Sequence, residues 1–101
     1  MSSLASPRAP VTVRTEGDAV VLALADDLDA ATGRALVSAV ATAVAAGPQR
    51  VDIDLTAITR WTDEGATSLV RCRALCRELP EGLHYRTGRG PGRDALLAAY
   101  R

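Results

Sequence analysis

Two rhythms of hydrophobic spacing alternate along this chain, and their alternation predicts the order of its elements. Val11 and Val13 alternate with polar residues, whereas Ala19 to Leu24 is apolar almost without a break, and Glu16-Gly17-Asp18 lies between them. A period of two describes a half-exposed strand and a continuous apolar run a more buried one, so these segments predict a hairpin at one edge of a sheet. Over residues 29–46 the spacing becomes helical, with a stripe of Ala35, Leu36, Ala39, Val40, Ala43 and Val44. Asp29 is the expected N-cap and Gly47-Pro48 the stop. Val51, Ile53 and Leu55 then alternate with Asp52 and Asp54, which predicts an inner strand ending near Leu55. A second helix opens at Thr62 or Asp63 and runs to about Leu79, burying Leu69, Cys72, Cys76 and Leu79. Asp63 and Glu64 in its first turn, and Arg71, Arg73 and Arg77 further on, suit the helix dipole. After Pro80-Glu81-Gly82 come a short strand (Leu83 to Arg86), a Gly- and Arg-rich loop (Thr87 to Gly92) and a closing helix (Asp94 to Tyr100). The order ββαβαβα predicts an α/β fold: a small mixed sheet with helices packed mainly on one face.

Composition narrows this picture. At 101 residues with 48% hydrophobic and 24% charged positions, the chain suits one core over residues 11–101, and residues 1–10, rich in Ser, Ala and Pro, are expected to be a disordered leader. No apolar run approaches the roughly 18 residues of a membrane span. Twelve arginines balance twelve acids, which argues against a nucleic-acid binder driven by bulk charge. The balance is uneven along the chain: residues 1–64 hold five Arg and nine acids, and residues 65–101 hold seven Arg and three acids. Such a division fits either differently charged solvated faces or a bipolar surface that orients a protein partner. Cys72 and Cys76 lack a second pair or a nearby His for a four-ligand metal site, and are read as buried apolar thiols in a reducing cytosol.

No catalytic set emerges. His84, the only histidine, has no Ser or Cys motif beside it and reads as a half-buried strand residue. Gly88-Arg89-Gly90-Pro91-Gly92 lacks the endings of a phosphate-binding loop, and Pro91 removes a backbone donor. Asp52 and Asp54 share a strand face as an acid/base pair would, but alternation in a half-exposed strand accounts for them equally. The expectation is a domain that is not an enzyme and needs no cofactor or metal.

Two stretches carry a resemblance. Leu24-Ala25-Asp26-Asp27-Leu28-Asp29-Ala30-Ala31-Thr32 resembles the L-S-G-E-L-D-x-x-T segment of STAS domains, the bacterial anti-sigma factor antagonists. Val51 to Gly65, reading VDIDLTAITRWTDEG, is similar to that family's V-x-L-D-L-S-G-V-x-F-x-D-S-S-G strand and loop. In the family, a serine of D-S-S-G is phosphorylated by a partner anti-sigma factor of the serine-kinase type, and phosphorylation breaks the complex. Carried over position by position, the family's Asp falls on Thr62, the acceptor Ser on Asp63, the next Ser on Glu64 and the Gly on Gly65. Asp63 has no hydroxyl to phosphorylate, so two fixed charges stand where relatives add a phosphate. The resemblance therefore implies a constitutive or pseudo-phosphorylated regulator with a divergent partner. Thr62 or Thr67 is an alternative acceptor, but a phosphate on Thr62 would sit beside two carboxylates.

The binding surface so implied comprises Asp27, Asp29, Thr32, Arg60, Trp61, Thr62, Asp63, Glu64 and Gly65, with Trp61 as a core plug or an interface anchor and the core role preferred. Its expected partner is a regulatory protein, in the cytoplasm, without direct nucleic-acid contact or membrane insertion. STAS domains continue beyond the segment matched loosely by Gly90 to Leu97, so the sheet is expected to be one strand short, with an edge that a partner or a second copy, as in a homodimer, could cover. The alternative is a ligand-binding or transporter-associated STAS module, with Arg86, Arg89 and Arg93 holding an anion or nucleotide, or a lipid-transport partner.

Overall fold

A computed structural model describes residues 10–101; the rest of the expected leader lies outside the described residues. The elements are β1 (Val11–Glu16), β2 (Ala19–Leu28), α1 (Ala30–Ala45), β3 (Arg50–Trp61), α2 (Asp63–Leu75), β4 (Leu83–Arg86) and α3 (Pro91–Ala99), in the predicted order ββαβαβα. The mixed sheet runs β1-β2-β3-β4, antiparallel between β1 and β2 and parallel thereafter. Gly17, at φ 59°, turns the edge hairpin in a backbone region that glycine enters at little cost.

Helices α1, α2 and α3 all contribute to one apolar core. Leu36 and Val40 of α1, Leu69 and Cys72 of α2 and Ala95 of α3 join Leu22, Leu24, Val51, Ile53 and Leu55 of the strands. The sheet is thus covered on one face. Burial pushes the Cys72 thiol up to about 12, with Cys76 adding to the shift, and burial also raises Cys76. Neither is a nucleophile at neutral pH. Both thiols are expected to resist Ellman's reagent in the native protein and to react fully in denaturant; rapid native labelling would contradict the packing.

Four boundaries depart from the sequence reading. β3 does not end near Leu55 but continues to Trp61, and β2 runs on to Leu28. Their pairing shifts register between Ala23 and Ala25 and between Asp26 and Asp27, and such bulges break the period of two on which the reading relied. α2 stops at Leu75, where Cys76 donates back to Cys72 and Arg73, and turns carry the chain to Leu79. α3 opens at Pro91, not Asp94, because proline at the first helical position loses no intrahelical bond. His84 is exposed, its ring nitrogen 3.1 Å from the Glu81 carbonyl oxygen.

The helix-free face carries a chain of ion pairs that links β1, β3 and β4. Arg86 reaches Glu16 at 3.0 Å and Asp52 at 2.7 Å, Arg14 reaches Glu16 at 2.7 Å, and Arg50 reaches Asp52 at 2.8 Å and Glu81 at 3.3 Å. Asp52 is therefore not half-exposed as expected but 3% accessible. Val21, fully buried yet outside the helix-side core, lies in register between Arg14 and Asp52. Burial pulls the Asp52 carboxyl upward, but its two guanidinium partners outweigh this and hold it below its ordinary value. Glu16 is lowered to about 2, first by Arg86 and then by Arg14.

Candidate functional site

Parallel pairing of β2 and β3 brings the two sequence-predicted loops to one end of the sheet. Asp27 lies opposite Arg60 and Leu28 opposite Trp61. The Asp27 carboxylate accepts from Arg60 Nε at 3.0 Å and Nη2 at 3.2 Å, a two-pronged pair across the strand ends. Arg60 is 80% exposed, so the pair fixes side-chain direction more than it adds stability.

Each strand feeds a helix whose cap is a predicted site residue. Asp29 accepts from the Thr32 N–H at 2.9 Å and caps α1, and this backbone hydrogen bond holds its carboxyl below the usual range. Thr62 Oγ1 accepts from the Gly65 N–H at 3.1 Å and caps α2. The Thr62 hydroxyl is thus occupied, and phosphorylation there would cost the cap as well as crowd two acids. The Thr67 hydroxyl donates to the Asp63 carbonyl at 2.8 Å. Asp63 and Glu64 are exposed in the first turn of α2, and no ion pair holds either among the described residues. Their charge faces solvent at the positive end of the helix.

Trp61 is half-buried against the core, in keeping with the preferred role, and it also lines a groove of about 300 Å³ with Asp27, Leu28, Asp29, Arg60 and Thr62. Gly65 is buried against the backbone of Leu28 and Asp29, which locks the start of α2 onto the end of β2. All nine predicted site residues therefore fall on or beside this one end.

Sequence reasoning missed two contributors. Gly33 faces Ser68 so closely that a Cβ there would strike the Ser68 hydroxyl, and this contact sets how near α1 and α2 approach. A glycine inside an Ala-rich helix was the available signal. Asp26 adopts φ 67°, the left-handed region, at the position where the STAS segment has glycine. Aspartate tolerates that conformation better than most residues, which explains how it can replace glycine there.

The arginines of the alternative reading do not converge as a free set. Arg86 is committed to Glu16 and Asp52, whereas Arg89 and Arg93 are exposed without an ion pair among the described residues. Among the described residues no group of three or more His, Cys, Asp or Glu could hold a metal ion, and no helix is long and apolar enough to cross a membrane.

The mixed four-stranded sheet with its three helices, in the order ββαβαβα, defines an α/β domain of the STAS type. The family model "Mlab, STAS domain" matches residues 11–100, and the chain belongs to the STAS domain family. Among solved structures it is similar to an anti-sigma factor antagonist from Mycobacterium paratuberculosis, with 23% identity and a TM-score of 0.67 over 97% of this chain and all of that one. It is also similar to the unphosphorylated anti-sigma factor antagonist SpoIIAA, with 18% identity and a TM-score of 0.64 over 86% of this chain and 81% of the other. A third likeness is to Mglu, with 24% identity and a TM-score of 0.59 over 79% of this chain, which spans only 20% of that protein's length. No curated protein matches.

Proposed function

We propose that this chain is a non-catalytic regulatory module that docks a cytoplasmic protein through the acidic end where β2 and β3 open into α1 and α2. The observation that supports this most is the exposed Asp63-Glu64 pair at the head of α2, beside the Asp27–Arg60 bridge and the Trp61 groove. Relatives of the antagonist type acquire charge at this position by phosphorylation of a serine; here it is built in. The module is therefore constitutive: its docking surface holds a permanent charge and selects a partner that offers cations to meet it. The partner class is a divergent relative of the serine-kinase-like anti-sigma factors that the resemblance implies, one adapted to a charge that releases the usual kinase.

The test is affinity capture from the source cell with wild type and D63S/E64S, followed by titration of each recovered partner. Removing both charges should change affinity for the principal partner by about tenfold or more, or make the variant a kinase substrate. Recovery of the same proteins at the same affinity by both forms would show that this loop is not the interface.

A further inference from the structure

Among the described residues, β4 closes the sheet on its far side with only four residues and has a strand neighbour on one edge alone. The Val51 N–H donates to the Gly82 carbonyl at 3.1 Å, so alternation turns the backbone of Gly82 and His84 toward β3. Leu83 and Tyr85 consequently direct their N–H and C=O groups to the open edge. A sheet edge of this kind is usually covered, charged or broken, since it pairs readily with another chain.

Beside that edge, α2 and the start of β4 enclose a groove of about 440 Å³. Val70, Ala74 and Leu83 give it apolar walls, and Arg73 and Arg77 flank it. No carboxylate pairs with either arginine among the described residues, and the Arg73 guanidinium lies 5.8 Å from the centre of the Tyr100 ring. Glu81, the one acid in the lining, is hydrogen-bonded to Arg50. Of the seven arginines after residue 64, only Arg86 makes an ion pair among the described residues.

We infer that the β4 edge and this groove form a second docking site, separate from the acidic end, which takes an extended acidic segment of a partner protein as a fifth strand. Main-chain bonds to Leu83 and Tyr85 would align the segment, alternate apolar side chains would enter the groove, and its carboxylates would meet Arg73 and Arg77. A second copy fits poorly. Two-fold pairing of β4 with β4 would bring the same unpaired arginines together. Nucleic acid has the charge but cannot continue the backbone ladder.

The experiment titrates the 15N-labelled chain with a capped hexapeptide of alternating Val and Glu, and with its Val and Lys counterpart. The acidic peptide should shift the amides of Leu83 and Tyr85 and those from Val70 to Arg77, while the basic one should not. R73E/R77E, both exposed positions, should stay folded, with only the modest drop in melting temperature that reversed charge at the end of α2 and the lost Tyr100 contact entail, and should lose the response, whereas D63S/E64S should keep it. That separates this site from the acidic end. Absence of shifts at millimolar acidic peptide, shifts centred on the Asp63 loop, or an unaltered response in R73E/R77E would overturn the inference. So would a β4-mediated dimer in sedimentation, which would make a second copy the occupant, or equal shifts with a single-stranded oligonucleotide.

Discussion

Gly65→Ala should destabilise the domain by about 3 kcal/mol, lowering its melting temperature by roughly 12 °C or more for a chain of this size. Alanine normally favours a helix over glycine by about 1 kcal/mol, so the expected sign is opposite to propensity. The reason is geometric. A Cβ at position 65 would press into the Leu28 carbonyl oxygen and lie 2.5 Å from its carbon and 3.0 Å from Asp29 Cα. These are backbone atoms and cannot rotate aside as a side chain could. α2 would have to lift off the end of β2, which would strain the Thr62 N–H bond to the Leu28 carbonyl, now 3.0 Å. Thermal melting of the variant checks this, and a loss of less than about 2 °C would mean that the helix can shift freely. If the acidic end is the interface, partner affinity should fall as well, because the same movement displaces Asp63 and Glu64.

Glycine at position 65 shows how the sequence could be informative without being self-explanatory. The segment Val51 to Gly65 carries a family resemblance, but spacing alone gives no reason for its glycine; that reason is a carbonyl 37 positions earlier. The same holds for other long-range features. Element order was legible because each element announces itself within a few residues: Asp29 caps α1, Gly17 turns the hairpin, and apolar spacing changes from two to 3.6. The ends of β2 and β3 were not legible, since apolar and polar residues no longer alternate in their last few positions, and the pairing that extends them is a contact between distant segments with bulged register. Asp52 was misjudged for the same reason. Alternation placed it on a polar face correctly, but its burial depends on arginines at positions 50 and 86 folding over that face. The candidate site was read by resemblance more than by physics. Physics contributes afterwards, showing why Asp29 and Thr62 suit their positions as caps and why Asp26 can stand where relatives have glycine.

R50M/R86M should convert the helix-free face from a source of stability at neutral pH into a liability. In the wild type, burial alone would raise the Asp52 carboxyl, and the two guanidinium groups more than reverse this. A carboxyl held below its unfolded value binds fewer protons when folded, so its contribution is present above the unfolded value of about 4. It is lost as pH falls below that toward the folded value. Glu16, lowered to about 2 by Arg86 and Arg14, acts in the same direction. Methionine at both positions keeps most of the aliphatic cover but leaves Asp52 desolvated and unpaired at 3% exposure. The surviving influence is burial, which places the folded carboxyl above its unfolded value and reverses the sign: its neutral form is favoured, and stability falls as pH rises through the folded value. At neutral pH the stranded Asp52 charge should cost about 3 kcal/mol. Toward pH 3.5 it takes up a proton, and most of that cost disappears. Paired thermal melts of the two proteins between pH 3.5 and 7.5 should therefore show a gap that is widest at neutral pH and narrows with acid. A gap of constant width would mean that the arginines act only through packing, and that the balanced charge of this chain does not hold its open face together.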